Sequence, residues 1–233
     1  MKYSEFEDII SSERMHRYLI ACNNDSRKAM TLYRYNIKLS QELLAVVGCF
    51  EVALRNKINK QFTSQYGSDW LRDFILPKGV FYSDNKVAKT KSIIEKAYNG
   101  LIRSRSYSHT KLLSEMEFGI WKYMFSNVQY HLTQQTLLSI FPNKPRSTPA
   151  AQYDNTYIFG ELDYINNLRN RIAHHEPICF GTRANRTSID TFYALNRYSR
   201  IITLFNWLGI DSPSLLYGLG DVVGISNKIS SLK

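Results

Sequence analysis

Hydrophobic positions recur at helical intervals along most of the chain. Between about residues 25 and 67 no proline occurs, and apolar residues follow one another at steps of one, three or four. These residues are Leu39, Leu43, Val46, Val47, Phe50, Leu54, Ile58 and Phe62. The spacing predicts one long helix, or two in succession, with Asp25 as the N-cap and with one face buried.

The same periodicity predicts further helices. One lies near the N-terminus, around Phe6 and Met15, and the others span about residues 86–102, 115–125, 132–141, 156–174 and 188–208. No alternating pattern of useful length indicates a strand, and the segment after Ser212 has no clear assignment. The sequence therefore predicts an all-α protein.

Prolines at positions 142, 145 and 149 interrupt this helical pattern. They mark a connector near residues 142–149, which is the best candidate for a domain boundary. The segment that follows is too short to build an independent core easily. We therefore expect residues 1–233 to form a single domain.

Composition narrows the class of protein. Hydrophobic residues make up 44% and charged residues 21% of the chain, which is typical of a globular protein and not of a disordered one. No apolar run approaches the roughly 20 residues that cross a bilayer, and the N-terminus carries no secretion signal. We expect a soluble, cytoplasmic protein with no membrane partner.

The charge balance suggests a polyanionic partner. Lys and Arg total 30 against 20 Asp and Glu, which gives a formal net charge of +10. Such a charge is typical of proteins that contact phosphate backbones, but it also keeps many proteins soluble without any acidic partner. The basic segment 103–111 is either a solvated loop or an arm that contacts phosphates through Arg103 and Arg105, with a tyrosine for base stacking.

The segment 158–177 carries the most informative chemistry. Apolar residues at positions 158, 162, 165, 168 and 172 step by three or four and predict a helix with one buried stripe. Pro177 cannot continue that helix, so His174 and His175 fall in its last turn. A histidine at such a position is also favoured by the helix dipole alone.

Helical geometry constrains how these polar residues cooperate. Asn170 and His174 are four apart and share a face, whereas Arg169 and His174 are separated by about 140° of rotation and about 7.5 Å of rise. Either the arginine bends round, or the last turn unwinds, or a second subunit completes the site. An arginine beside the buried stripe also needs an acidic or phosphate partner.

A metal site is not expected here. His174, His175 and Cys179 are ligand types, but adjacent histidines on a helix diverge and no fourth ligand has a standard spacing. The three cysteines are scattered and form no CxxC, which argues against both a disulfide framework and a zinc ribbon.

The run Arg169-Asn170-Arg171-Ile172-Ala173-His174 is similar to the R-N-x-x-x-H signature of HEPN ribonucleases. Its surroundings resemble the Abi-like (abortive infection) branch of that superfamily. Two other stretches carry the resemblance in the right order, EVALRNKI at residues 51–58 and FGIW at residues 118–121. The resemblance spans most of the chain, from about Tyr33 to Trp207.

This resemblance implies a fold and a chemistry. It implies a HEPN-like helical bundle with additional helices, which forms a homodimer whose two signatures face one RNA-cleaving cleft. His174 acts as general base or acid, Arg169 stabilises the pentacoordinate phosphate, and Asn170 orients the histidine ring or the phosphate. The reaction needs no metal or other cofactor, and its expected product is a 2′,3′-cyclic phosphate.

Other residues are weaker candidates for RNA contact. Glu51 and Arg55, four apart on the long predicted helix, form either an ordinary ion pair or, with Asn56, part of the same cleft. Arg171 and His175 lie inside or beside the signature and are further candidates, although His175 also has a purely structural interpretation.

Three functions follow. The favoured one is an endoribonuclease of the abortive-infection or toxin type that acts in anti-phage defence. The second is a non-catalytic RNA-binding module, in which His174 is dispensable and basic residues such as Arg103 and Arg105 carry the affinity. The third is a structural helical dimer with no affinity for RNA.

Overall fold

Helices dominate the computed structural model, which describes residues 1–181 and 187–233. The prediction of an all-α protein is confirmed: within these residues the extended pairing is limited to two isolated β-bridges. The α-helices are α1 (Tyr3–Ile10), α2 (Ser12–Ala21), α3 (Ser26–Tyr66), α4 (Trp70–Asp73), α5 (Ala88–Arg103), α6 (His109–Ser114), α7 (Phe118–Tyr123), α8 (Asn127–Leu132), α9 (Asn155–Ala173), α10 (Phe192–Trp207), α11 (Ser212–Leu215) and α12 (Val222–Ser230). Short 3-10 helices span Asn85–Val87 and Leu137–Ile140.

The long predicted helix is a single element of 41 residues, α3. Asp25 caps it as predicted, because its Oδ1 accepts hydrogen bonds from the backbone N–H groups of Arg27 and Lys28, each at 3.0 Å. Helices α5, α9 and α10 also lie close to their predicted spans.

One predicted helix is wrong. Residues 132–141 were expected to be continuous, but Gln134 and Gln135 have φ values of +61° and +58°, in the left-handed region. They end α8, and the chain resumes only as the 3-10 helix Leu137–Ile140. The apolar periodicity was present, but two consecutive left-handed residues are incompatible with a right-handed helix.

The chain divides into two compact units. The first comprises Met1–Cys49, Asn167–Thr203 and Asp211–Lys233, and the second comprises Phe50–Asn166 and Leu204–Ile210. The proline-rich connector at residues 142–149 lies inside the second unit. That residues 1–233 act as a single domain stays a prediction.

Aromatic side chains from α2 and α3 pack in the core of the first unit. The Tyr18 ring packs edge-on against Tyr33, at 5.3 Å between centroids, and against Phe180, at 5.1 Å. Cys179, next to Phe180, is fully buried. Edge-to-face geometry of this kind is the favoured arrangement of aromatic pairs, so the segment that follows α9 is part of the core.

The second unit has a core of phenylalanine and tryptophan. Phe62 packs edge-on against Trp70 at 4.9 Å and against Phe74 at 5.6 Å, and Phe50 packs against Phe205 at 5.3 Å. The FGIW stretch begins α7 and places Phe118 and Trp121 in this core, both fully buried. Packing in the core therefore explains the two large aromatic residues of this stretch.

A buried lysine is an unusual feature of the second unit. The side chain of Lys122 is 8% exposed, and its Nζ lies 2.8 Å from Oδ1 of Asp163. The same ammonium faces the rings of Tyr123, at 4.7 Å, and Phe159, at 5.2 Å. Burying a charge is unfavourable unless it is paired, so the carboxylate of Asp163 and the two rings together stabilise this cation.

We expect Asp163→Ala to lower the free energy of unfolding by about 2 kcal/mol, because it leaves the Lys122 cation with the rings alone. The half-exposed carboxylate keeps the effect below that of a fully buried pair. Lys122→Met removes the buried charge itself and should lower the free energy of unfolding by less than about 1 kcal/mol. Urea denaturation of both variants measures the difference, and equal losses contradict this interpretation.

No helix in residues 1–181 and 187–233 combines the length and the apolar character that crossing a bilayer requires.

Candidate active site

The signature lies at the C-terminal end of α9, within the first unit. The helix continues to Ala173, and the backbone N–H of His174 donates to the carbonyl oxygen of Asn170 at 2.9 Å. The last turn is therefore intact, which excludes an unwound turn as the way to bring Arg169 and His174 together. The predicted apolar stripe is buried: Leu168 is 0% and Ile172 is 6% exposed.

A Schellman motif ends the helix immediately after His174. His175 has φ +55°, its N–H donates to the carbonyl of Ile172 at 3.0 Å, and the N–H of Glu176 donates to the carbonyl of Arg171 at 2.8 Å. Glycine usually occupies this left-handed position, because a Cβ is strained there. The backbone of His175 thus has a structural role, while its side chain is exposed.

We expect His175→Gly to raise the free energy of unfolding by about 0.5–1 kcal/mol, because glycine adopts a positive φ without strain. His175→Val is the matched opposite and should lower it by about 1 kcal/mol or more, because β-branched residues fit this region worst. Urea denaturation of the two variants provides the test. A glycine variant no more stable than the valine variant contradicts the proposed cap.

The segment of residues 175–181, here called the strap, is held to neighbouring helices by hydrogen bonds. The side-chain Oδ1 of Asn36 accepts from the backbone N–H groups of Ile178, at 2.8 Å, and Cys179, at 3.2 Å. Asn36 is 2% exposed, and both partners are fully buried. An unpaired N–H at such a depth is costly, so Asn36 fixes where the chain runs after the signature.

Two arginines of α2 hold the ends of the strap. Arg14 donates from Nη1 to the carbonyl of His175, and Arg17 donates from Nη2 to the carbonyl of Gly181, both at 3.3 Å. The Arg17 guanidinium also lies 4.4 Å from the ring centroid of Phe180. Its burial lowers the pKa of Arg17 from its ordinary value. These contacts immobilise the backbone that presents His174.

Arg171, in the middle of the signature, makes contacts that stabilise the fold. Its Nε donates to the carboxylate of Glu176 at 3.1 Å, its Nη2 donates to the carbonyl of Pro177 at 2.7 Å, and its guanidinium lies 4.6 Å from the ring centroid of Tyr193. These contacts tie the helix end to the strap and to α10. That Arg171 also contacts RNA stays a prediction.

The three signature side chains themselves are available. Arg169 and Asn170 are half-buried, and His174 is exposed. Among the described residues, none of these three side chains has a hydrogen-bond or ion-pair partner. The surrounding polar groups are engaged in holding the backbone, so an arginine, an amide and an imidazole remain for a ligand at one helix end.

Three of the weaker candidates lie in the second unit, at positions 51, 55 and 56. On α3, Glu51 and Arg55 are half-buried and Asn56 is exposed. That Glu51 and Arg55 form an ordinary ion pair stays a prediction. That these residues line the same cleft as Arg169 and His174 stays a prediction.

The basic segment after α5 is partly ordered by internal contacts. Arg103 and Arg105 are exposed, and Arg105 takes a positive φ of 51° where it ends the helix. The hydroxyl of Tyr107 donates to Oδ1 of Asp69 at 2.5 Å, and its ring packs edge-on against Tyr98. Tyr107 therefore has a structural role, and its stacking on a base and the contact of the two arginines with phosphates both stay predictions.

Cys179, in the strap, is a buried thiol. Burial raises the pKa of the Cys179 thiol well above its usual range, which leaves it a protonated core residue. Within residues 1–181 and 187–233, no group of three or more His, Cys, Asp or Glu side chains is arranged to hold a metal ion.

Sequence reasoning missed the residues that position the signature. Asn36 lies 142 residues before its partner Ile178, and Arg14 lies 161 residues before His175. No local pattern links positions so far apart. The one signal in the sequence was Asn36 itself, a polar residue among the regularly spaced apolar residues of α3.

These features define an all-α protein with an arginine–asparagine–histidine set, of which the histidine is exposed, at the end of a well-anchored helix. The sequence model of the family described as Abi-like protein matches residues 2–179, well over half of the chain. The chain therefore belongs to the Abi-like protein family. The match includes α9 and most of the strap. No curated protein and no solved structure matches the chain.

Proposed function

We propose that this protein is a metal-independent endoribonuclease of the HEPN type, with a role in abortive infection. Membership of the Abi-like family supports the abortive-infection role. The observation that carries the nuclease proposal is a contrast at the end of α9. The side chains of Arg171, Arg14 and Asn36 form hydrogen bonds to backbone groups. The side chains of Arg169, Asn170 and His174 have no such partners among the described residues.

The proposed chemistry is an internal transesterification of RNA. A 2′-oxygen attacks the adjacent phosphorus, the bond to the 5′-oxygen breaks, and the products are a 2′,3′-cyclic phosphate and a 5′-hydroxyl. His174 accepts the proton of the 2′-hydroxyl or donates one to the leaving 5′-oxygen, and water exchanges the other proton. Arg169 stabilises the charge on the pentacoordinate phosphate, and Asn170 orients the ring or the phosphate.

A homodimer is part of the proposal. With the last turn of α9 intact, Arg169 and His174 point about 140° apart on the same helix. Two copies facing each other would supply an arginine and a histidine from different subunits. Mixing Arg169→Ala protein with His174→Ala protein tests this, since shared sites should regain part of the cleavage activity that each variant lacks.

The second candidate function is RNA binding without catalysis, favoured by the net charge of +10. It predicts that His174 is dispensable and that Arg103 and Arg105 carry the affinity. Loss of those two cations should then weaken binding and reduce its dependence on salt.

Induced expression in bacteria separates the two functions. Wild-type protein should arrest growth and fragment cellular RNA, whereas His174→Ala protein, expressed at the same level and folded, should do neither. If both proteins behave alike while Arg103→Ala and Arg105→Ala lose RNA binding, the nuclease proposal is wrong and the binding function replaces it.

A further inference from the structure

A groove of about 1100 Å³ lies in the second unit, and no residue of the signature lines it. Its floor is apolar and is formed by Ile93, Ala97, Leu101, Ile120, Tyr123 and Val128. Ile93 and Tyr123 are 38% and 41% exposed, so the floor is only partly covered. A contiguous apolar surface between charged rims is typical of an interaction site.

One wall of the groove is a basic stripe on α5. Lys89, Lys96 and Arg103 line it, and they are spaced by seven residues. Seven residues fall within about 20° of two full helical turns, so the three cations lie in one row, about 10.5 Å apart and about 21 Å from end to end. All three are exposed, and none has an ion-pair partner in the described part of the chain.

Two glutamates also line the groove. Glu115, at the end of α6, and Glu117, at the start of α7, line the groove, and both are exposed. Neither carboxylate pairs with a cation among the described residues. Two carboxylates that line a groove repel a phosphate backbone and attract basic side chains, so the mixed charge of this surface favours a protein partner over RNA.

We propose that this groove docks an amphipathic α-helix of a protein partner. The apolar face of that helix covers Ile93 and Tyr123, a carboxylate at every seventh position faces the row of Lys89, Lys96 and Arg103, and a basic side chain on the other flank faces Glu115 and Glu117. The charge pattern selects this occupant, because a heptad-spaced row of cations is matched by heptad-spaced acids on a second helix, at the same rise per residue.

The length of the row sets the length of the partner helix. A span of about 21 Å corresponds to about 15 residues, or four turns. Such a helix is marginal alone in water and orders on binding, which is typical of regulatory segments. The proposal is independent of the nuclease proposal, since no signature residue lines this groove.

The probe is a labelled peptide of about 18 residues with leucines on one helical face, three glutamates spaced by seven on one flank and lysines on the other. Reversing a helix exchanges its flanks, so no docking direction has to be assumed. The matched control peptide carries glutamine in place of the three glutamates. Fluorescence anisotropy with the full-length protein measures both affinities.

We expect the glutamate peptide to bind at least about tenfold more tightly than the glutamine peptide. Lys96→Glu should weaken its binding by about tenfold or more, whereas Lys60→Glu, an exposed lysine of α3 that does not line the groove, should leave it within about twofold. Equal affinity of the two peptides, or equal behaviour of the two variants, overturns the proposal.

Single-stranded RNA of about 12 nucleotides is the competing occupant, tested by titration into the peptide complex. We expect it to leave the peptide bound to the groove. RNA that displaces the peptide, and that loses its own affinity in Lys96→Glu but not in Lys60→Glu, overturns the proposal in favour of nucleic acid.

Discussion

Replacing His174 by alanine is expected to lower the rate of RNA cleavage about a hundred- to ten-thousandfold, the usual contribution of a general acid or base. The side chain is exposed and has no partner among the described residues, so the free energy of unfolding should change by no more than about 0.5 kcal/mol. Cleavage of a labelled RNA, together with urea denaturation of the same preparations, measures both quantities.

His16 provides the matched control for this substitution. It is an exposed histidine on α2, in the same unit as His174. His16→Ala should leave both cleavage and stability at wild-type values. Equal loss of cleavage in the two variants, or a His174→Ala protein that retains wild-type activity, contradicts the role given to His174.

The largest expected effect on stability comes from Asn36→Ala. The substitution leaves the buried N–H groups of Ile178 and Cys179 without an acceptor, and an orphaned buried donor costs about 1–3 kcal/mol. We expect the free energy of unfolding to fall by about 3 kcal/mol, which corresponds to a decrease in Tm of about 6–12 °C for a chain of this size. Thermal and urea denaturation measure it.

Asn99→Ala is the control for this effect, since Asn99 is an exposed asparagine within α5. Alanine is the better helix former, so stability should be unchanged or slightly higher. A loss of less than about 1 kcal/mol in Asn36→Ala means that the strap is held by its other contacts. Cleavage by Asn36→Ala should also fall at temperatures well below its Tm, because the strap fixes the backbone on which His174 stands.

The helices were predictable wherever periodicity and capping agreed. The apolar steps of α3 and its Asp25 cap specify the same element, and the stripe of α9 together with Pro177 predicts where that helix stops. Periodicity failed at Gln134 and Gln135, because nothing in two glutamines indicates a left-handed backbone. Asparagine or glycine at these positions would have signalled the turn.

The sequence predicted the residues of the candidate site, but it did not predict the contacts that hold them in position. Arg169, Asn170 and His174 stand in one short run, and a run of this kind is visible in a sequence. Asn36, Arg14 and Arg17 act on the strap through tertiary contacts between positions more than 140 residues apart. The structural use of Arg171 was likewise hidden, because its partners Glu176 and Tyr193 become neighbours only after folding.

The decisive measurement on the proposed nuclease is the chemistry of the RNA ends that the purified wild-type protein produces in buffer containing EDTA. The proposed mechanism predicts cleavage with 2′,3′-cyclic phosphate and 5′-hydroxyl ends, and no cleavage of the same strand made of 2′-deoxynucleotides. Products with 5′-phosphate ends, cleavage of the deoxy strand, or an intact RNA in the presence of folded dimeric protein would contradict it.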